Sequence, residues 1–354
     1  MPEARVVRIG ARALGLGAPA YLVAELSGNH NGDLGRAIAT IHAAAEARAD
    51  AIKLQTYTAD TLTIKSDRPD FVVPGHGPWS GRTLYELYEE AHTPWDWHGR
   101  LFEEARSCGL EVFSTPFDGS AVELLERLGA PAYKVASFEL IDDALLRTVA
   151  GTGKPVILST GMATLEEVAH AVSVLRSAGA PDVVLLRCTS SYPAPDDSLN
   201  LATIPVLAAV TGCLVGLSDH TLGTAAPVVA VTLGACLVEK HLTLSRSDGG
   251  VDSHFSLEPR EFSAMVADVR RAEAMMGTPT FGAGVAEEGS IVFRRSLYVV
   301  KDVAARDVFT SENVRSIRPG YGLPPRYLDV VLGKSATRAA ARGTPLTWDL
   351  VGHE

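Results

Sequence analysis

Cysteine is scarce in this chain and never stands at the spacing of a metal site. The 354 residues include four cysteines, none of them in a Cys-x-x-Cys motif: Cys108, Cys188, Cys213 and Cys236. Scattered single cysteines argue against a disulfide framework and against a zinc site built from cysteine. We therefore expect the four cysteines only to fill space in the core. Such cysteines suit a reducing compartment, and we expect a cytoplasmic protein.

Long apolar runs and clusters of positive charge are also missing. No stretch reaches the roughly 18 uninterrupted apolar residues of a membrane span, and residues 1–10 lack the apolar core of a signal peptide. The net charge is −10 and no basic run occurs, which argues against a nucleic-acid surface. We therefore expect neither a membrane nor a nucleic acid as partner.

Short apolar strands alternate with helical segments through the first 277 residues. The predicted strands begin at Tyr21, Ala51, Glu111, Ala132, Pro155, Val183, Leu214 and Leu237. No glycine-rich dinucleotide fingerprint follows the first strand, which disfavours a doubly wound open sheet. The pattern predicts a (β/α)8 barrel, a fold whose active site lies at the carboxyl ends of its strands.

Two of these strands end in histidine. The stretches are Gly216-Leu217-Ser218-Asp219-His220 and Leu237-Val238-Glu239-Lys240-His241. Matching strand ends would bring two imidazoles, several carboxylates and a lysine into one small volume. Two neutral imidazoles with positions left open for water suit Zn²⁺, Mn²⁺ or Fe²⁺. We predict a metal site at His220 and His241.

Further polar residues lie at the ends of these two strands and of the other strands. They are Glu25, Lys53, Gln55, Thr115, Lys134, Ser137, Ser159, Ser218 and Glu239. A lysine in a buried strand is costly unless an anion meets it. Lys53 and Lys134 therefore favour an anionic substrate, although structural ion pairs would explain them as well.

Two stretches depart from the alternation of strands and helices. Residues 56–94 are long and irregular, and such a segment inside a compact domain is usually functional. Residues 278–290 are rich in Gly, Pro and Thr and predict a linker. The short elements that follow, over 291–354, suit a small second domain whose own core would be marginal.

Short motifs occur in an order that is found in a known family. They are Ala24-Glu25-Leu26-Ser27-Gly28-Asn29-His30, Lys53-Leu54-Gln55-Thr56, Ser114-Thr115-Pro116-Phe117, Tyr133-Lys134-Val135-Ala136-Ser137, Ser159-Thr160-Gly161-Met162, Gly216-Leu217-Ser218-Asp219-His220, Glu239-Lys240-His241 and Arg318-Pro319-Gly320. With them the chain resembles the nonulosonic (sialic) acid synthases over nearly its whole length. The resemblance implies a (β/α)8 TIM barrel over 1–277, a linker over 278–290 and an antifreeze-like (SAF) domain over 291–354.

Within that family, the motifs are most similar to the pseudaminate branch. Glu25-Leu26-Ser27 replaces the Glu-Ile-Gly commoner in neuraminate and legionaminate members, and Ser190 stands where neuraminate members place Asn. The resemblance therefore implies synthesis of pseudaminic acid. Synthesis of N-acetylneuraminate or legionaminate stays open as an alternative.

The resemblance implies both a reaction and a set of site residues. Phosphoenolpyruvate condenses with the aldehyde of an acetamido deoxy-sugar, 2,4-diacetamido-2,4,6-trideoxy-L-altrose, and with water, and phosphate is released. The implied catalytic residues are Glu25, Glu239, His220 and His241, and the two histidines hold Mn²⁺, with Mg²⁺ or Co²⁺ as alternatives. The implied phosphoenolpyruvate-binding residues are Lys53, Thr115, Lys134, Ser137, Ser159, Ser190 and Ser218. The implied sugar-binding residues are Gln55, Tyr192, Asp252 and Arg318.

The resemblance also implies an assembly. Family members exchange their C-terminal domains in a homodimer, which would place Arg318 at the sugar of the partner subunit. Two other function classes stay open: a metal-dependent aldolase that uses free pyruvate, and a carbohydrate-binding protein built around the C-terminal module. The aldolase does not explain two lysines and three serines at the strand ends, which suit a phosphate.

Overall fold

The chain divides into two compact units in the computed structural model. The units are Met1–Gly277 and Thr278–Glu354. The structure describes residues 6–15, 17–75 and 79–352. Among these residues, no helix combines the length and the apolar character that crossing a membrane requires.

The β-structure of the first unit is an antiparallel hairpin followed by a closed barrel of eight parallel strands. The strands are β1 (Val6–Ile9), β2 (Arg12–Gly15), β3 (Tyr21–Glu25), β4 (Ala51–Thr56), β5 (Glu111–Pro116), β6 (Tyr133–Val135), β7 (Val156–Ser159), β8 (Val183–Cys188), β9 (Leu214–Asp219) and β10 (Leu237–His241). The last strand, β10, pairs with β3 and sets His241 opposite Glu25, which closes the ring. The predicted (β/α)8 fold is confirmed.

Helices connect the barrel strands, and one more helix follows the last strand. They are α1 (Leu34–Glu46), α2 (Ala59–Leu62), α3 (Leu84–Ala91), α4 (His98–Ser107), α5 (Gly119–Arg127), α6 (Asp143–Ala150), α7 (Leu165–Ser177), α8 (Thr203–Thr211), α9 (Ala225–Thr232) and α10 (Pro259–Met276). The Asp33 side chain accepts from the backbone N–H of Arg36 and begins α1, and Thr164 forms a capping box with Glu167 at α7. Both start signals are visible in the sequence.

Alternate strand residues face the barrel interior, and their polarity changes along each strand. Near the amino ends they form an apolar layer: Tyr21, Val23, Ala51, Phe113, Ala132, Ile157, Val184, Leu186 and Leu237. The hairpin β1–β2 adds Val7, Ile9 and Leu14 to this layer. The sequence pattern does not predict that hairpin, because its strands are only four residues long and lie in a charged stretch.

The described residues of the long segment between β4 and α4 are arranged around α2 and α3. Thr83 and Glu86 form a capping box at the start of α3. The indole N–H of Trp79 donates to the carbonyl oxygen of Val251 at 2.9 Å. Leu87 packs with Val251 and Trp79 in a small apolar cluster of its own. These contacts fix the segment against the loop that follows β10.

The second unit contains a small antiparallel sheet and its own core. The sheet pairs β11 (Ser296–Val299) with β12 (Val314–Ile317), and a short helix α11 spans Leu328–Val331. A 3-10 helix begins at Val285, within the stretch predicted as a linker, and ends at Phe293, beyond that stretch. The buried core contains Leu297, Val299, Val303, Phe309, Val314, Leu323, Val331, Ala336, Ala340, Leu346, Leu350 and Val351.

Candidate active site

A cavity of about 340 Å³ opens at the carboxyl ends of the barrel strands. Most of the predicted site residues line it: Lys53, Gln55, Thr115, Lys134, Ser137, Ser159, Tyr192, Ser218, His220, Glu239, His241 and Asp252. The alternation of each strand explains this grouping, because the interior positions that are apolar near the amino ends become polar at the carboxyl ends.

Three predicted residues do not line the cavity. Glu25 lies beside it, fully buried, and forms an ion pair with Lys53. Ser190 lies next to Gly161, where an added methyl group would clash with the hydroxyls of Ser190 and Ser137. Arg318 belongs to the second unit, where its side chain is exposed.

Lys53 lies between two buried carboxylates. Its Nζ is 2.8 Å from Glu25 Oε2 and 3.6 Å from Glu239 Oε1, and it donates to Thr115 Oγ1 at 3.0 Å. Burial disfavours the charged amine, but Glu239 and Glu25 outweigh burial and raise the pKa of Lys53. Burial raises the pKa of Glu25 to about 7 even though Lys53 opposes the change. The lysine is therefore held as a cation.

Lys134 provides a second buried amine on the same side of the cavity. Its Nζ donates to the carbonyl oxygen of Val135 at 3.1 Å. Burial lowers its pKa, and Glu239 opposes that change. Burial alone would raise the pKa of Glu239, but Lys53 and Lys134 outweigh burial and lower this pKa below its ordinary value. An anionic ligand would meet two amines that are already partly neutralised by carboxylates.

His220 and His241 lie side by side, with ring centroids 5.4 Å apart. The Nδ1–H of His220 donates to the carbonyl oxygen of Thr189 at 3.0 Å, which leaves Nε2 as the lone-pair atom. The Nδ1 of His241 is buried without a hydrogen-bond partner, and so is Glu239 Oε2. Burial lowers the pKa of His241 well below its usual value, so its ring is neutral. The unpartnered Nδ1 of His241 and the neighbouring Nε2 of His220 fit a divalent metal.

Asp219 and Lys240 point away from this cavity, although we expected the second strand tip to add its lysine to the site. Lys240 Nζ lies 2.5 Å from Asp219 Oδ2 and donates to the carbonyl oxygen of Thr221 at 2.7 Å. The alternation along β9 and β10 explains the difference, since Ser218 and Glu239 face the cavity and their chain neighbours face outward. Lys240 and Asp219 form a buried structural ion pair.

A hydrogen-bonded chain links Glu25 to Asp252. The Nε2 of Gln55 donates to Glu25 Oε1 at 2.9 Å and to Ser27 Oγ at 3.1 Å. The Ser27 hydroxyl donates to Asp252 Oδ2. Burial raises the pKa of Asp252, while the bond from Ser27 opposes the change. The chain connects a predicted catalytic carboxylate with two predicted sugar-binding residues.

Several lining residues were not predicted from the sequence. They are Ser27, Tyr57, Leu62, Val73, Trp79, Leu84, Leu87, Tyr88, Ala91, Phe117, Ala136, Phe138, Glu139, Cys188 and Val251. Glu139 has a sequence signal that we did not use, because it follows the strand-end residue Ser137 by two positions. Burial raises its pKa to about 7, and its Oε2 has no hydrogen-bond partner. Cys188, which we expected only to fill space, lies 4.0 Å from the Nδ1 of His220.

One side of the cavity is apolar. Its residues come mainly from the long segment between β4 and α4: Leu62, Val73, Trp79, Leu84 and Leu87, with Val251 beside them. The aromatic rings of His220, Tyr192 and Trp79 follow one another at centroid distances of 4.4 Å and 5.6 Å. This row of rings leads from the paired histidines to the apolar side of the cavity. A ligand bound at the histidines can therefore extend toward the apolar side.

Comparisons with known proteins agree with the geometry. The NeuB family model matches residues 40–280, and the SAF domain model matches residues 294–352. Pseudaminic acid synthase of Campylobacter jejuni strain 81-176 is 45% identical over 326 residues, which are 92% of this chain and 95% of that protein. Pseudaminic acid synthase of Helicobacter pylori is 41% identical over 333 residues, 94% of this chain and 97% of that one.

A solved structure extends the agreement to the backbone. The crystal structure of N-acetylneuraminic acid synthetase from Leptospira borgpetersenii has a TM-score of 0.72 and is 30% identical, and the match covers 81% of this chain and 95% of that chain. The family model covers the barrel from β4 onward, and the SAF model covers most of the second unit. This chain belongs to the NeuB family.

Proposed function

We propose that the protein condenses phosphoenolpyruvate with 2,4-diacetamido-2,4,6-trideoxy-L-altrose and water to give pseudaminic acid and phosphate. The observation that carries the proposal is the cavity, which joins two buried lysines and several hydroxyls to a pair of open imidazoles. Two relatives more than 40% identical bear the name pseudaminic acid synthase. Family and cavity chemistry thus support the same reaction.

Phosphoenolpyruvate binds at the lysines. Its phosphate and carboxylate carry the negative charges that Lys53 and Lys134 can meet with charge-assisted hydrogen bonds. The hydroxyls of Thr115, Ser159 and Ser218 line the same part of the cavity and add neutral donors. The orphaned Oγ of Ser159 is buried, so a ligand oxygen there would satisfy it.

The carbon–carbon bond forms between C3 of phosphoenolpyruvate and the aldehyde carbon of the sugar. His220 and His241 would hold a divalent ion, which we propose to be Mn²⁺, and that ion would supply Lewis-acid polarisation of the aldehyde oxygen. Glu25 stabilises the positive charge that grows at C2 and orients the water that adds there. Phosphate then leaves C2, and the 2-keto acid is released. Glu239 positions the sugar or moves a proton.

The apolar side of the cavity supports a deoxy sugar. The aldehyde end must lie at the paired histidines, so the C6 methyl is the far end of the open chain. Val73, Leu84 and the neighbouring apolar residues offer that methyl group an apolar surface. An apolar site of this kind rejects an added hydroxyl by about 100-fold at most. We therefore expect a preference for the 6-deoxy sugar that is measurable and limited.

The test is incubation with phosphoenolpyruvate, Mn²⁺ and a panel of acetamido sugars, followed by phosphate release and product mass. We expect phosphate and a nine-carbon 2-keto acid with the diacetamido trideoxy sugar. A higher kcat/KM for N-acetylmannosamine would overturn the substrate assignment and favour a neuraminate synthase. Turnover of free pyruvate without phosphate release would favour the aldolase instead.

We infer further that the protein works in the cytoplasm as a homodimer with exchanged C-terminal domains. The four unpaired cysteines support a reducing compartment. Exposed Phe281, Val285 and Phe293 in the second unit support burial against another chain. In such a dimer, the guanidinium of Arg318 would reach the acetamido sugar of the partner subunit.

A further inference from the structure

Ser27 has a backbone conformation that serine rarely adopts. Its φ is 49°, in the left-handed region where Cβ crowds the following carbonyl oxygen. Glycine adopts this conformation without strain because it has no Cβ. The residue is also buried, with 2% of its surface exposed. A buried non-glycine residue held in this way points to a side chain that contributes something glycine cannot.

The hydroxyl of Ser27 lies between two residues that line the cavity. It donates to Asp252 Oδ2 and accepts from Gln55 Nε2 at 3.1 Å. A hydroxyl offers one donor and two acceptor positions, so both bonds form at the same time. Ser27 therefore couples a glutamine on β4 to an aspartate in the loop after β10.

These hydrogen bonds determine which atoms of Gln55 and Asp252 stay available to a ligand. Gln55 Nε2 also donates to Glu25 Oε1 at 2.9 Å. The Ser27 hydroxyl gives its own proton to Asp252 Oδ2 and can therefore only accept from Gln55, so the NH₂ group of the amide faces Ser27. Both N–H bonds are used, which leaves Gln55 Oε1 as the acceptor for a ligand. Asp252 Oδ2 faces Ser27 and the backbone N–H of Gly28, the latter at 3.5 Å, which leaves Oδ1.

We propose that Ser27 is a positioning residue for the sugar. It holds Gln55 Oε1 and Asp252 Oδ1 toward the cavity, where they accept hydrogen bonds from the amide N–H and hydroxyl groups of the substrate. The proposal rests on the proposed function and adds to it a residue that touches neither reacting carbon. Loss of the hydroxyl should weaken sugar binding and leave phosphoenolpyruvate binding unchanged, because Lys53 and Lys134 are not its partners.

The loop that carries Ser27 is held by bonds that do not involve its side chain. The backbone N–H of Leu26 donates to the carbonyl oxygen of Lys53 at 3.0 Å. The amide of Asn29 donates to the Leu242 carbonyl and to Ser256 Oγ, each at 2.9 Å. Removing the Ser27 hydroxyl therefore leaves the loop anchored, which makes substitution a direct test.

Ser27→Gly and Ser27→Ala both remove the hydroxyl, but only the glycine variant relieves the backbone strain. We expect the sugar KM to rise about tenfold in both, which corresponds to about 1.4 kcal/mol, while kcat and the phosphoenolpyruvate KM stay within about twofold. The glycine variant should have the higher Tm of the two. Arg48→Gly, which relieves a φ of 62° at an exposed position outside the cavity, is the matched control and should leave the sugar KM unchanged.

A double-mutant cycle separates positioning from general damage. If Ser27 acts through Asp252, then Ser27→Gly combined with Asp252→Asn should raise the sugar KM by less than the product of the single effects. A sugar KM within about twofold of wild type in both Ser27 variants, or a parallel rise in the phosphoenolpyruvate KM, would overturn this proposal alone. Absence of phosphate release by the wild type with every sugar would overturn the proposed function as well.

Discussion

Lys53 Nζ lies 2.8 Å from Glu25 Oε2 inside the barrel, where 4% and 0% of the two side chains are exposed. An ion pair buried this deeply adds little net stability, because desolvation offsets the attraction. Its arrangement matters for chemistry instead. Lys53, which we assign to the phosphate of phosphoenolpyruvate, already orients Glu25, which we assign to C2 of the same substrate. Binding site and catalytic group are thus one structural unit.

The first prediction concerns the cost of breaking this pair. Lys53→Met leaves Glu25 buried without its cation and leaves Glu239 with Lys134 alone. It should lower the free energy of unfolding by about 3–5 kcal/mol. The double variant Lys53→Met/Glu25→Gln should recover part of that loss, although both proteins are inactive. Urea unfolding at pH 7 measures the difference.

A surface pair provides the control for that prediction. Lys154 and Glu126 form an ion pair whose side chains are 26% and 40% exposed. Lys154→Met should cost less than about 1 kcal/mol. If the double variant at Lys53 and Glu25 were no more stable than Lys53→Met alone, the two residues would not be energetically coupled as the structure indicates.

The second prediction is metal dependence through the paired histidines. A chelator should abolish phosphate release and Mn²⁺ should restore it. Calorimetric titration should show Mn²⁺ binding to the wild type and not to His220→Ala or His241→Ala. Binding should weaken as the pH falls, since both imidazoles must be neutral to act as ligands. Full activity of His220→Ala in the presence of chelator would refute the assignment.

One other group of side chains among the described residues is close enough to hold an ion. His42 on α1, Glu104 on α4 and Cys108 just after α4 lie together outside the cavity, and His42 Nε2 is 2.8 Å from Glu104 Oε1. His42→Ala is therefore the matched control for the titration. It should leave Mn²⁺ binding and turnover unchanged, and a loss of binding in this variant would place the ion on the outer helices.

The polar half of the site was predictable because it follows a simple rule. Barrel strands alternate, and their carboxyl ends form the site, so strand-end residues such as Lys53, Lys134 and His241 could be selected from sequence alone. The rule also explains the error at Lys240, since a histidine that ends a strand inside the barrel requires its preceding neighbour to face outward. Counting by two from His241 would have excluded it.

The apolar half was not predictable in the same way. Val73 and Trp79 belong to an irregular stretch without periodicity, and their position depends on long-range contacts such as the bond from Trp79 to Val251. Leu84 begins α3, a helix that we predicted only as part of an irregular segment. The strained backbone of Ser27 is likewise a property of the folded loop. The sequence shows a serine at that position, but only the fold brings its hydroxyl to Asp252.

The third prediction uses the titration of Glu139. Burial raises the pKa of this carboxyl to about 7, so the folded state binds its proton more tightly than the unfolded state does. The stabilisation is complete below the ordinary pKa of a glutamate and is lost as the pH rises through about 7. Between about pH 6 and pH 8, the wild type should lose on the order of 1 kcal/mol relative to Glu139→Gln. Urea unfolding of both proteins at each pH gives this difference.

Glu123→Gln removes an exposed carboxyl from α5 and serves as the control for Glu139. Its stability should follow the wild type at both pH values. If Glu139→Gln follows the wild type as well, then Glu139 is not the group that titrates with a raised pKa. A site ligand that donates to the orphaned Oε2 would reduce the effect, so the measurement is made without substrates.

The last prediction is that Arg318 completes the site of the partner subunit. Arg318 follows β12 in a turn that Ser296 supports, since the Ser296 hydroxyl donates to the Pro319 carbonyl at 2.6 Å and accepts from the Gly322 N–H at 2.9 Å. The side chain itself is exposed and free to reach another surface. A guanidinium has the planar fork to bind an acetamido carbonyl. Arg318→Ala alone and His220→Ala alone should each be inactive.

Mixing the two inactive variants tests which subunit Arg318 serves. If it serves the partner, each heterodimer contains one site with both His220 and Arg318 intact, and full exchange should restore about a quarter of wild-type activity, because half of the dimers are mixed and half of their sites are complete. Arg315→Ala, an exposed arginine on β12, is the control and should stay active alone. If mass analysis shows heterodimers while activity stays absent, Arg318 acts within its own subunit or has no part in the reaction.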